Sequence, residues 1–406
     1  MAIQCYSMDF NTISSGTVTS PRGFIAGAVH AGIKSGNRLD LAVFYSEVPC
    51  TAAGLFTTNQ IKSAPVVLSQ KHLMDNRAQA IVVNSGCANA CTGEQGLADA
   101  AEMASLTAAR LGMSPEDVLA ASTGVIGVPL PIELIRAGID KIEFSRRGGH
   151  ELARAIMTTD TCAKEIAISV SMGGDEFTIA GVAKGAGMIH PNLATMLCFL
   201  ASDAAVDAAF LHRALEKAVG NSFNMITVDG DTSPSDSVFL LANELAGNQL
   251  ITDDNGEAFQ EGLNEVCLYL AKCIAADGEG ATKLIEVVVE GAGNEKEARL
   301  AARAIAGSTL VKTAMHGGNP NWGRIITALG ETDVQLVETK MDLYLNDVCV
   351  MKEGTPMSLD MHRAKASLDN KEILIKLRLN VGGGRATAWG CDLSEEYVTI
   401  NSAYMT

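Results

Sequence analysis

Aromatic residues are scarce, at 5% of the chain with two tryptophans, and no stretch of about eighteen residues stays apolar. No membrane-spanning helix is therefore expected. The opening Met1-Ala2-Ile3-Gln4-Cys5 lacks a basic region followed by an apolar one, so no secretory leader is expected either. Positive charge is in short supply: 31 basic residues face 47 acidic ones, for a formal charge of −16. Such a surface disfavours nonspecific contact with nucleic acid or anionic lipid. It mildly favours a cationic substrate, although solubility alone explains it. Seven scattered histidines give no His-Glu-x-x-His site. Among ten cysteines, Cys87 and Cys91 lie four apart with no second pair to complete a zinc pattern. They read as reduced structural thiols, which points to the cytoplasm. No Gly-x4-Gly-Lys-Ser/Thr run occurs, and Gly185-Ala186-Gly187 lacks the third glycine of a dinucleotide fingerprint. No metal or cofactor is expected.

What is present is an ordinary globular composition, 47% apolar and 19% charged over 406 residues, long enough for a large core and two packed lobes. The 39 glycines are dispersed, which excludes collagen-like and low-complexity chains. Leu97, Ala101, Ala104, Ala108 and Leu111 repeat at helical spacing, with Gly112 as a stop. Phe259, Leu263, Val266, Leu270 and Ile274 predict a second helix, and Arg299 to Ala306 a third. Glu165 to Met172 and Phe177 to Ala183 alternate on either side of Gly173-Gly174, a two-residue hairpin signal. The mixture predicts an α/β (α+β) fold with sheets covered by helices.

Residues 184 to 200 read Lys-Gly-Ala-Gly-Met-Ile-His-Pro-Asn-Leu-Ala-Thr-Met-Leu-Cys-Phe-Leu. Glycines and a proline make an irregular approach, and Met196 to Leu200 then forms the unbroken apolar run of a buried strand. Thr195 sits where the loop enters that strand, after the small Ala194. A threonine hydroxyl needs a base. If the bond before it is cut, its own new α-amine, of pKa ~8, can serve. The hydroxyl can make the cut first, by attacking the Ala194 carbonyl in an N→O acyl shift that water resolves, and a tight loop would hold the reacting atoms close. On composition alone, a threonine here is an ordinary β-branched strand residue.

The stretch from Lys184 to Leu197 resembles the self-cleavage segment of the ornithine acetyltransferase (glutamate N-acetyltransferase) family. Residues 84 to 96, Asn-Ser-Gly-Cys-Ala-Asn-Ala-Cys-Thr-Gly-Glu-Gln-Gly, resemble a further family block. So do Ser122 to Gly127, Thr158 to Thr161, Ser222 to Asn224 with Thr227 to Ser233, Pro320 to Ile325, and Ile400 to Thr406. These run in family order over essentially the whole chain. Met225 and Met405 replace arginines of the family pattern, Asn319 an aspartate and His316 an aromatic.

The resemblance implies a self-cleaving enzyme with an N-terminal threonine nucleophile, passing acetyl from N2-acetyl-L-ornithine to L-glutamate through an ester on Thr195. Thr123 and Gly124 match its oxyanion-hole pair, against the plainer reading of a turn into a strand. Lys184 matches a substrate-binding lysine suited to an α-carboxylate, where a solvated strand-end lysine is the ordinary alternative. Thr158, just past an expected Glu151 to Met157 helix, matches a substrate contact, with turn capping as its alternative. Glu279 matches a binding glutamate suited to the ornithine ammonium, and otherwise reads as a solvated loop carboxylate. Asn401 and Thr406 match binding positions near the C-terminus. His190 is read as shaping the loop. The cut would yield residues 1–194 and 195–406, products folding together rather than independent domains, and the resemblance implies an α2β2 assembly. Acetyl-CoA as a second donor is left open, with dual activity the favoured reading. The rivals are a related hydrolase or aminopeptidase, which passes the acyl group to water, and an uncleaved binding protein.

Overall fold

A computed structural model describes residues 10–190, 196–357 and 361–403. Ala194, Thr195 and Thr406 lie outside the described residues. Two sheets form the frame, of nine and seven strands among the described residues. The larger runs from Phe10–Thr12 through Lys164–Met172, Asp175–Lys184, Leu197–Ser202, Ser237–Ala242, Leu41–Phe56 and Arg77–Cys87 to Val118–Val125, with Phe24–Val29 also on Leu41–Phe56.

The expected hairpin is present, extended by one residue on the first arm and by three on the second. Met172 pairs with Asp175 across Gly173 and Gly174, whose φ values of 60° and 100° suit the two-residue turn that follows the strand twist. The apolar run after Thr195 becomes Leu197–Ser202, buried at every position. It is a central strand, antiparallel to Asp175–Lys184 and parallel to Ser237–Ala242. Apolar side chains on both faces are what such a position demands.

Leu41–Phe56 ties the sheet together. Residues 41–45 pair with 80–84, residues 51–56 pair with 237–242, and the register shifts between Tyr45 and Cys50. One apolar cluster then joins the two halves, with Phe44, Ile81 and Leu119 meeting Val182, Leu197, Phe199 and Phe239.

The expected helices are present, each starting earlier in the chain, and the one expected over Glu151 to Met157 ends at Ile156. Gly93–Leu111 stops at Gly112, whose φ is 73°. Glu295–Gly307 begins at Asn294, whose side chain accepts from the Glu297 N–H. Glu257–Ala276 presents Phe259, Leu263, Val266, Leu270 and Ile274 to a core shared with Ile168 and Ile179 of the larger sheet and Ile285 and Val287 of the smaller. Small residues permit this contact. A Cβ at Gly181 would lie 2.7 Å from Leu200 and 2.8 Å from Leu270, and one at Gly262 would lie 2.9 Å from Val170. Among the described residues, no helix is long and apolar enough to cross a membrane.

Phe199 is fully buried and stacks on Phe239 with ring centroids 5.9 Å apart. Phe199→Ala is expected to cost about 3–5 kcal/mol. It should lower the denaturant midpoint at unchanged slope.

Candidate active site

Lys184 is the last residue of its strand and pairs directly with Leu197. The register therefore sets it across from the strand that Thr195 leads into. The solvated-lysine alternative does not hold: Lys184 is 3% exposed. Its Nζ reaches Thr123 Oγ1, 3.4 Å away, from the other half of the folded sheet. The Thr123 hydroxyl accepts from an ammonium there, which leaves its own proton free to donate elsewhere.

Thr123 and Gly124 belong to the end of Val118–Val125, not to a turn entering a strand. Gly124 has a φ of 131°, and a Cβ on it would lie 2.4 Å from the Gly86 carbonyl carbon. Only glycine fits this irregular pairing. Thr158 follows Gly149–Ile156, and its backbone N–H donates to Asp160 Oδ2 at 3.0 Å. The turn is held by the Asp160 side chain, not by the Thr158 hydroxyl, and Thr158 lines a cavity together with Thr123 and Lys184.

Glu279 is 7% exposed, so it is no solvated loop carboxylate. Its carboxylate packs on Gly187, where a Cβ would come within 2.4–2.5 Å of it. Asn401, on Glu395–Ala403, donates from Nδ2 to Glu279 Oε2 at 2.7 Å. The loop bearing Glu279 is anchored through Asp392, which accepts from the Thr282 and Lys283 N–H groups and lies 2.7 Å from His316 Nδ1. The His316 departure thus has a use. Met225 is simply core, 1% exposed.

Thr123, Gly124, Thr158, Lys184, Glu279 and Asn401 line one cavity of about 220 Å³. Asp229, Asp231, Ser233, Ser235 and Tyr397 complete much of its wall. Sequence reasoning quoted the block Thr227 to Ser233 without giving it a role. Asp229 accepts from the Met188 and Ile189 N–H groups at 2.6 and 2.8 Å, so it pins the chain shortly before Thr195. Val228 N–H donates to Ile189 O beside it, and His190 Nδ1 lies 3.5 Å from Thr227 Oγ1, in keeping with a loop-shaping role. Cys87 is a buried thiol as expected, whereas Cys91 is exposed.

Buried charges underlie the site. Lys164, 1% exposed, donates to Asp160 at 2.7 Å and to Asp277 at 2.5 Å. Asp160 also accepts from the Gly185 N–H at 2.7 Å, which ties the ion pair to the backbone just after Lys184. Burial alone would raise the Asp160 carboxyl. Lys184 and Lys164 overcome it and hold the group down at about 2, from an ordinary 3.8. Burial pushes the Lys184 ammonium below its usual range, with Asp160 opposing and Lys164 adding to the effect. Among the described residues, no group of three His, Cys, Asp or Glu could hold a metal ion.

A partly enclosed cavity with a buried lysine and a buried carboxylate in its wall is the kind of site an enzyme uses for small charged molecules. The comparisons agree. A model of the ArgJ family matches residues 25–406. The chain is 55% identical over 400 residues to the arginine biosynthesis bifunctional protein ArgJ of Dehalococcoides mccartyi (strain CBDB1), covering 97% of this chain and 98% of that protein. The protein of the same name from Symbiobacterium thermophilum is 52% identical over 398 residues, covering 97% and 99%. A solved ornithine acetyltransferase complexed with ornithine, from Mycobacterium tuberculosis, shares 41% identity at a TM-score of 0.42, covering 46% of this chain and 100% of that one. The chain belongs to the ArgJ family.

Lys164→Met would leave Asp160 and Asp277 facing each other unpaired. It is expected to cost about 3–5 kcal/mol in denaturant unfolding. Because the folded-state pKa of Asp160 is depressed, its stabilisation is complete above pH 3.8 and is lost as the pH falls towards about 2. Acid unfolding of the unmutated protein should steepen in that window.

Proposed function

We propose that the chain cuts itself between Ala194 and Thr195, and that Thr195 then carries an acetyl group from N2-acetyl-L-ornithine to L-glutamate. Its relatives are named for arginine biosynthesis, and the chain is an acetyltransferase of that pathway. The observation that carries the residue assignments is the convergence on one cavity of Thr123, Gly124, Thr158, Lys184, Glu279 and Asn401, beside the strand that Thr195 leads into.

In the first half-reaction the Thr195 hydroxyl loses its proton to the Thr195 α-amine and attacks the acetamide carbonyl. The tetrahedral oxyanion takes hydrogen bonds from the Thr123 hydroxyl and the Gly124 N–H. The hydroxyl is suited to this because Lys184 already donates to its oxygen. Collapse breaks the C–N bond, and the amine's proton leaves with ornithine. Glutamate then attacks the ester by the reverse path and departs as N-acetylglutamate. Lys184 receives the α-carboxylate that both substrates share, with Thr158 beside it. Glu279, steadied by Asn401, receives the ornithine ammonium. The carboxylate of Thr406 is assigned to the same cation. The second activity that the relatives' names count is read as acetylation of glutamate from acetyl-CoA.

The two products stay together because Leu197–Ser202 of one lies buried against Asp175–Lys184 of the other. We further assign an α2β2 assembly of these products and a cytoplasmic location.

Kinetics with acetylornithine and glutamate should give parallel lines, and quenching with acetylornithine alone should trap an acetyl ester on Thr195. Intersecting lines with no acetylated peptide would require direct transfer instead. Thr123→Ala should lower kcat and kcat/KM together by roughly 10²-fold, normalised to the cut fraction. Lys184→Met should raise KM for both substrates and, by removing the donor to Thr123, also lower kcat, though by less than Thr123→Ala does.

A further inference from the structure

Asp236 is a carboxylic acid with one oxygen used and one idle. It is 1% exposed, just before the Ser237–Ala242 strand. Oδ1 accepts from the Met196 N–H at 3.0 Å, and Ser237 N–H donates to Met196 O beside it. Oδ2 is buried without a hydrogen-bond partner among the described residues. So is Ser235 Oγ, which lines the reaction cavity. Buried polar atoms in native proteins are otherwise nearly always satisfied, so an idle oxygen here calls for a partner that arrives later.

The Met196 N–H is one end of the planar peptide whose other end is the Thr195 carbonyl. Holding that N–H fixes the plane of this peptide unit. We propose that Asp236 is a positioning residue for the nucleophile: Oδ1 holds Met196 before and after the cut, and Oδ2 receives the α-ammonium that Thr195 carries during turnover. The inference rests on Thr195 being the nucleophile.

The chemistry is balanced at each stage. In the uncut chain the Thr195 nitrogen is an amide and brings no charge. The N→O shift forms the Oγ–carbonyl bond and breaks the Ala194–Thr195 amide, and the hydroxyl proton passes to the new amine. Water then hydrolyses the ester, regenerating the hydroxyl and leaving Ala194 with a carboxylate. From then on the amine takes the hydroxyl proton whenever Oγ attacks, and the ammonium so formed sits against Asp236. Burial pushes the Asp236 carboxyl well above its ordinary range, with the Met196 N–H and Lys184 opposing. A protonated acid suits the uncut chain, where no new cation is present, and a nearby ammonium would draw the group back to its ionised form. Lys184 is the charged group facing Asp236, from the strand on the far side of Leu197–Ser202, with Asp160, Lys164 and Glu279 set around it.

The decisive comparison is Asp236→Asn in the full chain. The amide oxygen can still accept from Met196, so the chain should still cut. The amine loses its anion, and an anion within a few ångströms raises the pKa of a cation by about 1–3 units. The rising acid limb of kcat/KM, which reports the free amine acting as base, should therefore move about one pH unit lower or more. The plateau kcat should fall about tenfold or more, since the ammonium formed on attack is no longer stabilised. Should this variant not accumulate as soluble protein, Asp236→Ser, smaller and also an acceptor, is measured in its place with the same expectations. A limb that coincides with the wild type, at equal kcat, overturns the proposal, and so does a folded variant that stays uncut. If no acetyl ester can be trapped on Thr195 in the unmutated enzyme, the underlying functional reading fails. If the ester is trapped and the limb does not move, Asp236 alone is misassigned.

Discussion

The pairing of Lys184 with Leu197 is the contact on which the site depends. It joins the last residue before the glycine-rich loop to the first strand residue after Met196. One ladder therefore sets Lys184 and the strand that follows Met196 in a single register. A one-residue slip would turn every side chain of Leu197–Ser202 to the opposite face. That strand is buried on both faces between two neighbours, so the register has little freedom. The same ladder would hold the fold together if the peptide bond before Thr195 were cut, as proposed.

Around that ladder, buried charges do work that a solvated surface could not. Asp160 reaches the Gly185 N–H, Lys164 neutralises Asp160 and Asp277, and Lys184 remains with its ammonium turned towards Thr123. In a low-dielectric site each of these charges must be matched, because an unpaired one would cost several kcal/mol. Asp229 and Asp236, seven residues apart in one loop, hold Met188 and Ile189 on one side and Met196 on the other side of the proposed cleavage segment. The loop is thus a cradle for the reacting segment as well as part of the cavity wall.

Much of this was legible in the sequence, for identifiable reasons. The apolar stripe of Glu257–Ala276, the Gly173-Gly174 turn and the run from Met196 each follow from periodicity or turn chemistry. The candidate site residues were not legible that way. Thr123, Lys184 and Glu279 look like a turn residue, a surface lysine and a loop carboxylate until the sheet folds over and buries them, and only likeness to a known family marked them. Asp160 stood in the sequence only as part of the Thr158 to Thr161 block, with no role, and Asp236 was not singled out. Their significance lies in contacts with residues 25 and 40 positions away, Gly185 and Met196, which no local pattern encodes. Cys91 shows the converse: spacing paired it with buried Cys87, yet it is exposed at a φ of 58°.

The central claim is that the chain makes its own nucleophile. Intact mass and N-terminal sequencing of the purified protein and of Thr195→Ala test it most directly. The account predicts two fragments from the unmutated chain, the second beginning at Thr195, and one uncut chain from the variant, folded to the same thermal stability within a few degrees. Cleavage of the variant at the same bond would mean that another protease makes the cut. A wild-type protein that stays a single chain while turning over acetylornithine would contradict the account outright.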